Sequence, residues 1–284
     1  MTPPIRFAAV QLCTTPDVEA NNRAIAEAVA RGAAAGAQVV CLPEAANILL
    51  RDNRRYPAVC VPERDDTTLR LCRELAARHG IWLHSGSLLV RTEEGDRIWN
   101  RSYLISPRGE VVAHYDKLHT FDVRLGGQGD FQESAVVRPG EDAPLAVALP
   151  GSGLTLGFSI CYDLRFGYLF HGLAKAGATV MLVPASFSAI TGPLHWETLL
   201  RARAIETGSY VVAAAQCGEH DGVPTHGQSR IIGPLGEVLA GCGEEPGIAC
   251  ADLDPAAVAD ARRRLPCLEQ ARELAAPRLV NPAG

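Results

Sequence analysis

The chain is short of the features that mark several large protein classes. Its nine cysteines include no Cys-x-x-Cys pair, which disfavours thioredoxin-like redox chemistry and a zinc knuckle. Nine cysteines in 284 residues are too few for a disulfide scaffold, so a reducing cytoplasm is the expected compartment. No apolar run approaches the ~18 residues that a membrane-spanning helix needs. The N-terminus, Met1-Thr-Pro-Pro-Ile-Arg-Phe-Ala-Ala-Val10, has no basic leader before an apolar segment, and no signal peptide is expected. Positive charge is not in excess. The net charge is −5, which leaves no basic field for nucleic acid. The one basic cluster, Arg51, Arg54 and Arg55, is short and mixed with Asp52; it reads as a solvated loop or a substrate rim. Phosphate-loop and metal-ligand spacings are missing too, so neither a cofactor nor a metal is expected.

What is present is an alternation of strand-like and helix-like segments in a chain that is 47% hydrophobic. A chain of this length can bury roughly 75% of its unfolded surface in one core. Residues 5–12 read as an apolar strand, and Asp17 as the cap of a helix that stops at Gly36. Leu69, Cys72, Leu75 and Ala76 fall at helical spacing before Gly80. Residues 81–90, 98–106 and 111–117 read as three consecutive strands, partly antiparallel within a mixed sheet. From 118 to 140 glycines and charges replace periodicity, and this segment reads as an active-site wall. Beyond it, helices at 168–176, 193–206 and 255–264 alternate with strands at 178–183, 210–216, 229–232, 237–240 and 248–253. No linker, repeat or low-complexity segment divides the chain. The expectation is one α/β domain over 1–284, with a core of about 5–266 and a tail from 267 to 284.

Three polar residues stand at the ends of apolar strands: Glu44 after Gln38-Val-Val-Cys-Leu-Pro43, Lys117 after Val111-Val-Ala-His-Tyr-Asp116, and Cys161 after Leu154-Thr-Leu-Gly-Phe-Ser-Ile160. A cysteine beside an apolar strand is more often inert core than nucleophile, and a strand-end lysine is as often a surface residue. A carboxylate directly after a buried run is less casual, because an unpaired buried charge is costly. Amides at the start of the segment after Cys161 favour an anion there, as thiolate or oxyanion. His114 and His119 flank Lys117 at a spacing that suits no metal motif.

In order and in local motif, these residues resemble the carbon–nitrogen hydrolase (nitrilase) superfamily. The motifs are Leu42-Pro-Glu-Ala45, Asp116-Lys-Leu-His119, Cys161-Tyr-Asp-Leu-Arg-Phe166 and Thr191-Gly-Pro-Leu-His-Trp-Glu197, and the likeness runs from about Ile5 to Pro266. It implies a four-layer α-β-β-α sandwich, a homodimer or larger assembly, and hydrolysis through a cysteine thioester. In that scheme Cys161 is the nucleophile, Glu44 the general base and later acid, and Lys117 with the Tyr162 N–H the oxyanion site. Glu133 is implied as a second glutamate that positions the lysine; alone, it would read as a surface carboxylate. Arg165, Phe187 and Thr191 are implied pocket residues, against ordinary readings as an ion-pair partner of Asp163, core packing and a helix cap. His195 reads as a packed, hydrogen-bonded residue.

Thr191–Glu197 and Leu200-Arg-Ala-Arg-Ala-Ile-Glu206 look like the branch that holds deaminated glutathione amidase and omega-amidase. Ala213-Ala-Ala-Gln-Cys-Gly218 and Gly127-Gln-Gly129 are closer to the former. The implied substrate is a small amide bearing a carboxylate, deaminated glutathione first, cleaved to ammonia and the free acid. Arg165, then Arg124, are the implied cations for the carboxylate. The rival readings are an omega-amidase, an N-carbamoyl amino acid hydrolase, and a catalytically silent interaction protein on the same fold.

Overall fold

The computed structural model describes residues 3–124, 130–272 and 274–279. β1 (Ile5–Gln11) sets the logic of the architecture. Phe7 and Ala9 point into one buried cluster, Ala8 and Val10 into another. The two-residue period of a strand sends neighbours to opposite faces, and here both faces are covered. α1 (Val18–Ala34) covers the outer face. It starts where the Asp17 carboxylate accepts from the Glu19 and Ala20 amides, satisfying orphan donors of the first turn. β2 (Val39–Cys41) and a short α2 (Tyr56–Val59) follow. α3 (Thr67–His79) is capped by Asp66 and closed by Gly80 at φ +64°, the left-handed geometry that suits glycine.

β3 (Trp82–His84), β4 (Leu88–Arg91), β5 (Ile98–Ile105) and β6 (Val111–Asp116) complete the first half. The segment 81–90, read as one strand, is two. Ser85-Gly86-Ser87 interrupts it, and the break has a consequence at the site.

The second half begins with a two-rung hairpin, β7 (Asp122–Val123) and β8 (Phe131–Gln132). Then come β9 (Ala146–Leu149), β10 (Leu154–Phe158), α4 (Gly167–Lys175), β11 (Val180–Leu182), α5 (Gly192–Thr207) and β12 (Tyr210–Ala213). A second hairpin, β13 (Cys217–His220) and β14 (Val223–His226), precedes β15 (Arg230–Ile232), β16 (Val238–Gly241), β17 (Gly247–Leu253) and α6 (Pro255–Arg264). β9 has no clear signature in the sequence; the second hairpin does, in the two-residue turn Asp221-Gly222 with both φ angles positive, and it was overlooked.

One sheet runs β17-β1-β2-β3-β5-β4, with β6 on β5; the other runs β16-β15-β12-β11-β10-β9. The outer face of the first sheet packs Ala8, Val10, Val40 and Leu83 against Ile25, Val29, Leu69 and Leu75 of α1 and α3. Its inner face presents Phe7, Val39 and Leu104 to Leu156 and Phe158 of the second sheet, whose far side takes up Phe170, Trp196 and Leu200 of α4 and α5. The layers are thus helix, sheet, sheet, helix, as the resemblance implied. No described helix is long and apolar enough to cross a membrane.

Candidate active site

Glu44, Lys117 and Cys161 all lie just beyond strand ends, as read from sequence, and they meet at one rim. The interruption after β3 builds the Glu44 turn. A Cβ on Gly86 (φ +66°) would lie 2.0 Å from the Pro43 carbonyl oxygen and 2.3 Å from that of Leu42. Only glycine lets the two backbones approach so closely. Ser87 then pins the turn: its N–H donates to Pro43 O (3.2 Å), its carbonyl accepts from Ala46 N (2.9 Å), and its Oγ accepts from Ala45 N (3.0 Å). Ala45 itself is at φ +52°. From the other side Gln216 Nε2 donates to the Glu44 carbonyl (2.9 Å) and to Thr14 Oγ1 (2.7 Å).

The three N–H bonds of the Lys117 ammonium meet three carboxylate oxygens: Glu44 Oε1 at 2.8 Å, and Glu133 Oε1 and Oε2 at 3.0 and 2.9 Å. All three residues are buried. Glu133, on a loop that sequence alone could not place, is therefore part of this cluster. Its Oε2 also accepts from Phe121 N (2.6 Å), and Glu44 Oε2 accepts from Ser186 N (2.7 Å). Burial pushes the Glu44 carboxyl up, but Lys117 outweighs it, by charge and by hydrogen bond, and holds the carboxyl below its ordinary range. Burial disfavours the Lys117 ammonium, and the charges of Glu133 and Glu44 more than reverse that, so its pKa lies well above the ordinary lysine value. Two carboxylates around one ammonium leave a net negative charge.

Cys161 opens a 3₁₀ turn, Cys161–Arg165, rather than an α-helix. Its φ is +47°, a strained conformation for a residue with a Cβ, costing about 1–3 kcal/mol. Its N–H donates to Pro184 O (2.8 Å), and its thiol shares the cavity with the Glu44 carboxylate. The amides of this turn were read as favouring an anion there, a thiolate or an oxyanion. A resting thiolate is disfavoured: burial first, then the Glu44 charge, push the thiol well above its ordinary range, with Lys117 pulling the other way. A cluster already one charge negative resists a second anion.

Two residues past the nucleophile, Asp163 ties this turn to the lysine segment. Its fully buried carboxylate accepts from Ile160 N (2.8 Å), Tyr115 Oη (2.8 Å), His119 N (3.0 Å) and His119 Nδ1 (2.6 Å). Tyr115 and His119 stand two residues on either side of Lys117. Asp163 is thus committed here and does not pair with Arg165.

Glu44, Lys117, Glu133 and Cys161 floor a cavity of about 440 Å³, which Tyr162, Arg165, Phe187 and Thr191 also line. Arg165 is half-buried. It donates to His195 Nδ1 (3.0 Å) and Thr191 Oγ1 (3.3 Å), and lies over the rings of Tyr162 and Phe187. Both hydrogen-bond partners are uncharged acceptors, and no carboxylate neutralises it among the described residues. Thr191 stands at the start of α5 but makes no side-chain cap; its hydroxyl serves Arg165. Phe187 packs on Trp196 and faces the cavity, so both of its readings hold. Arg124 is exposed at the end of β7 and does not line the cavity. Gly127-Gln-Gly129 lies outside the described residues.

Sequence reasoning missed Asn100. Its Nδ2 donates to Glu44 Oε1 (2.9 Å) and Glu133 Oε1 (3.2 Å), and its carbonyl accepts from Lys117 N (3.0 Å). A mid-strand asparagine in β5 was its only signal. Missed as well was the second hairpin, which brings His220, Gly222, Val223 and Thr225 over the cavity. Among the described residues no group of three or more His, Cys, Asp or Glu side chains is arranged to hold a metal, and all nine cysteines are free.

Comparison with known proteins agrees with this arrangement. The carbon-nitrogen hydrolase family model matches residues 6–263. The chain is 40% identical over 272 residues to the deaminated glutathione amidase of Homo sapiens, covering 93% of this chain and 81% of that protein. Among solved structures, the C. elegans NitFhit protein superposes with a TM-score of 0.88 at 34% identity, over 95% of this chain and 66% of that one. An amidase from Nesterenkonia sp. AN1, captured with acrylamide added to its active site cysteine, gives a TM-score of 0.76 at 29% identity, over 92% of this chain and 98% of that one.

Proposed function

Because the chain belongs to the carbon–nitrogen hydrolase family, we propose that it is an amidase with Cys161 as nucleophile, Glu44 as proton carrier and Lys117 as the cation beside the oxyanion. Cys161 Sγ attacks the amide carbonyl as its proton passes to Glu44. Burial, then the charge of that carboxylate, keep the resting thiol protonated, so deprotonation accompanies attack. Glu44 then protonates the leaving amine, and a thioester remains. Water attacks the thioester while Glu44 takes its proton, releasing the acid and the thiol. The ammonium of Lys117 has all three N–H bonds engaged. It therefore acts on the oxyanion mainly by charge, and the Tyr162 N–H supplies the direct donor. Glu133 and Asn100 keep Lys117 and Glu44 in register.

The substrate in this reading is a small amide bearing a carboxylate, with deaminated glutathione as first choice, as the name of the human relative supports. The observation that carries it is Arg165: a half-buried guanidinium in the nucleophile's cavity, bonded only to uncharged partners, suits a substrate carboxylate. A primary amide releases ammonia. The amides of deaminated glutathione are secondary, and there the leaving amine is that of cysteinylglycine. Product release from a panel of 2-oxo acid amides, neutral aliphatic amides, nitriles and carbamoyl amino acids tests the proposal. Faster turnover of neutral amides or nitriles than of 2-oxo acid amides overturns the substrate. The same reading takes the chain as one cytoplasmic domain in a homodimer or larger assembly, which light scattering checks for size.

A further inference from the structure

We propose that Arg51 forms a second anion subsite at the mouth of the cavity, selecting amides whose leaving amine carries a carboxylate. The proposal rests on the amidase reading above and concerns the half of the substrate that leaves. Arg51 lines the same cavity as Cys161 and Arg165 but is exposed, whereas Arg165 is half-buried. Its backbone is fixed to the turn of the second hairpin: Arg51 N donates to Asp221 Oδ2 at 3.1 Å. Asp221 and Gly222 both have left-handed backbones, at φ +49° and +82°. The Arg51 Nη1 lies 3.4 Å from where a Gly222 Cβ would stand, so the guanidinium rests against bare backbone. It makes no hydrogen bond or ion pair among the described residues. Its neighbour Arg54, by contrast, is taken by Asp52 at 2.9 Å.

Two further facts give this free cation a role. The floor of the cavity is net negative, so a substrate carboxylate is repelled there and must be held at a distance. Arg165 and Arg51 provide two such places, one inward and one at the mouth. The volume of about 440 Å³ lies within the roughly 300–1,000 Å³ of pockets that hold drug-sized ligands, more than a short primary amide needs. The cavity therefore takes an amide with an anion on each half and the scissile bond between.

The test uses two N-substituted amides of one 2-oxo acid, identical except that the amine half ends in a carboxylate or a carboxamide. Wild type is expected to favour the carboxylate about 5-fold in kcat/KM, through KM, the scale of an exposed pair. Arg51→Met should abolish that preference, Arg51→Lys should keep part of it, and added salt should weaken it in wild type and in Arg51→Lys. A preference that survives Arg51→Met, or one absent from an active wild type, overturns the subsite and leaves the amidase reading standing. Failure of wild type to cleave either compound while it turns over the primary amide of the same 2-oxo acid also overturns the subsite and leaves the amidase reading standing; failure on all three overturns both.

Discussion

The floor of the cavity and its wall differ in how their charges are settled. At the floor, Lys117 spends every donor on Glu44 and Glu133, and those carboxylates also bond Asn100, Ser186 and Phe121. Along the wall, the guanidinium groups of Arg165 and Arg51 pair with no carboxylate among the described residues, although the Arg51 backbone N–H donates to Asp221. A group whose partners are all supplied by the protein is fixed in place before a ligand arrives, which is what rapid chemistry needs. A cation without a counter-ion is completed only by what binds. The first arrangement concerns kcat, the second KM.

The sharpest break of that contrast is at the nucleophile. Cys161→Ala is expected to abolish turnover while leaving the circular dichroism spectrum and thermal midpoint near wild type, since alanine keeps the Cβ and with it the same backbone at φ +47°. Near-normal product release from this variant would remove Cys161 from the chemistry. Next come Glu44→Gln and Lys117→Met, each expected to lower kcat by ~10² or more. Lys117→Met should also destabilise the fold by about 3–5 kcal/mol, because it leaves two buried carboxylates facing each other. A Lys117→Met protein as stable as wild type would show that the ion cluster is not as closed as its geometry implies.

Asp163→Asn tests the link between the two catalytic segments. It removes the charge that receives His119 and Tyr115 without changing volume, and a fall in kcat of about 10-fold with little change in KM is expected. A KM effect instead would place Asp163 with the wall. Acid titration separates floor and wall again. The Glu44 carboxyl is held below its ordinary value, so its contribution to stability is full above pH 4.5 and is lost as pH falls through the lowered folded value. The acid limb of kcat/KM should accordingly lie below pH 4.5, and Arg165→Met should not move it. Stopped assays from pH 3 to 7 check both points. Smallest is Arg165→Met itself, expected to raise KM for a carboxylate-bearing amide by about 10-fold with kcat within 2-fold. An unchanged KM would mean that the carboxylate is held elsewhere.

How much of this was legible in the sequence depended on where each residue stood. Glu44, Lys117 and Cys161 could be read because a polar residue at the end of an apolar strand breaks a pattern. Asn100 breaks none, since β5 alternates and a mid-strand amide looks like any other. Glu133 sits where periodicity fails, and only the third dimension brings it within 3.0 Å of Lys117. Alternation made the α/β class legible and the resemblance the four layers, but residues 81–90 misled because an apolar run conceals a local break. Ser85-Gly86-Ser87 was the available signal, a glycine inside a strand pattern marking close backbone approach. The upward push on the Cys161 thiol was not legible, because it depends first on burial and then on the charges of Glu44 and Lys117, which other segments bring to it.

The pairing of β1 with β17 has a consequence for the birth of the molecule. The two strands match over seven rungs, from Ile5 opposite Leu253 to Gln11 opposite Gly247. An Arg6–Asp252 bridge at 2.7 Å joins residues 246 apart. During synthesis β1 emerges well before β17 and must wait for it, and meanwhile it presents an open, apolar edge. Such long-range closure slows folding and exposes a template for aggregation. A nascent chain stalled before residue 247 is therefore the species that chaperones should hold.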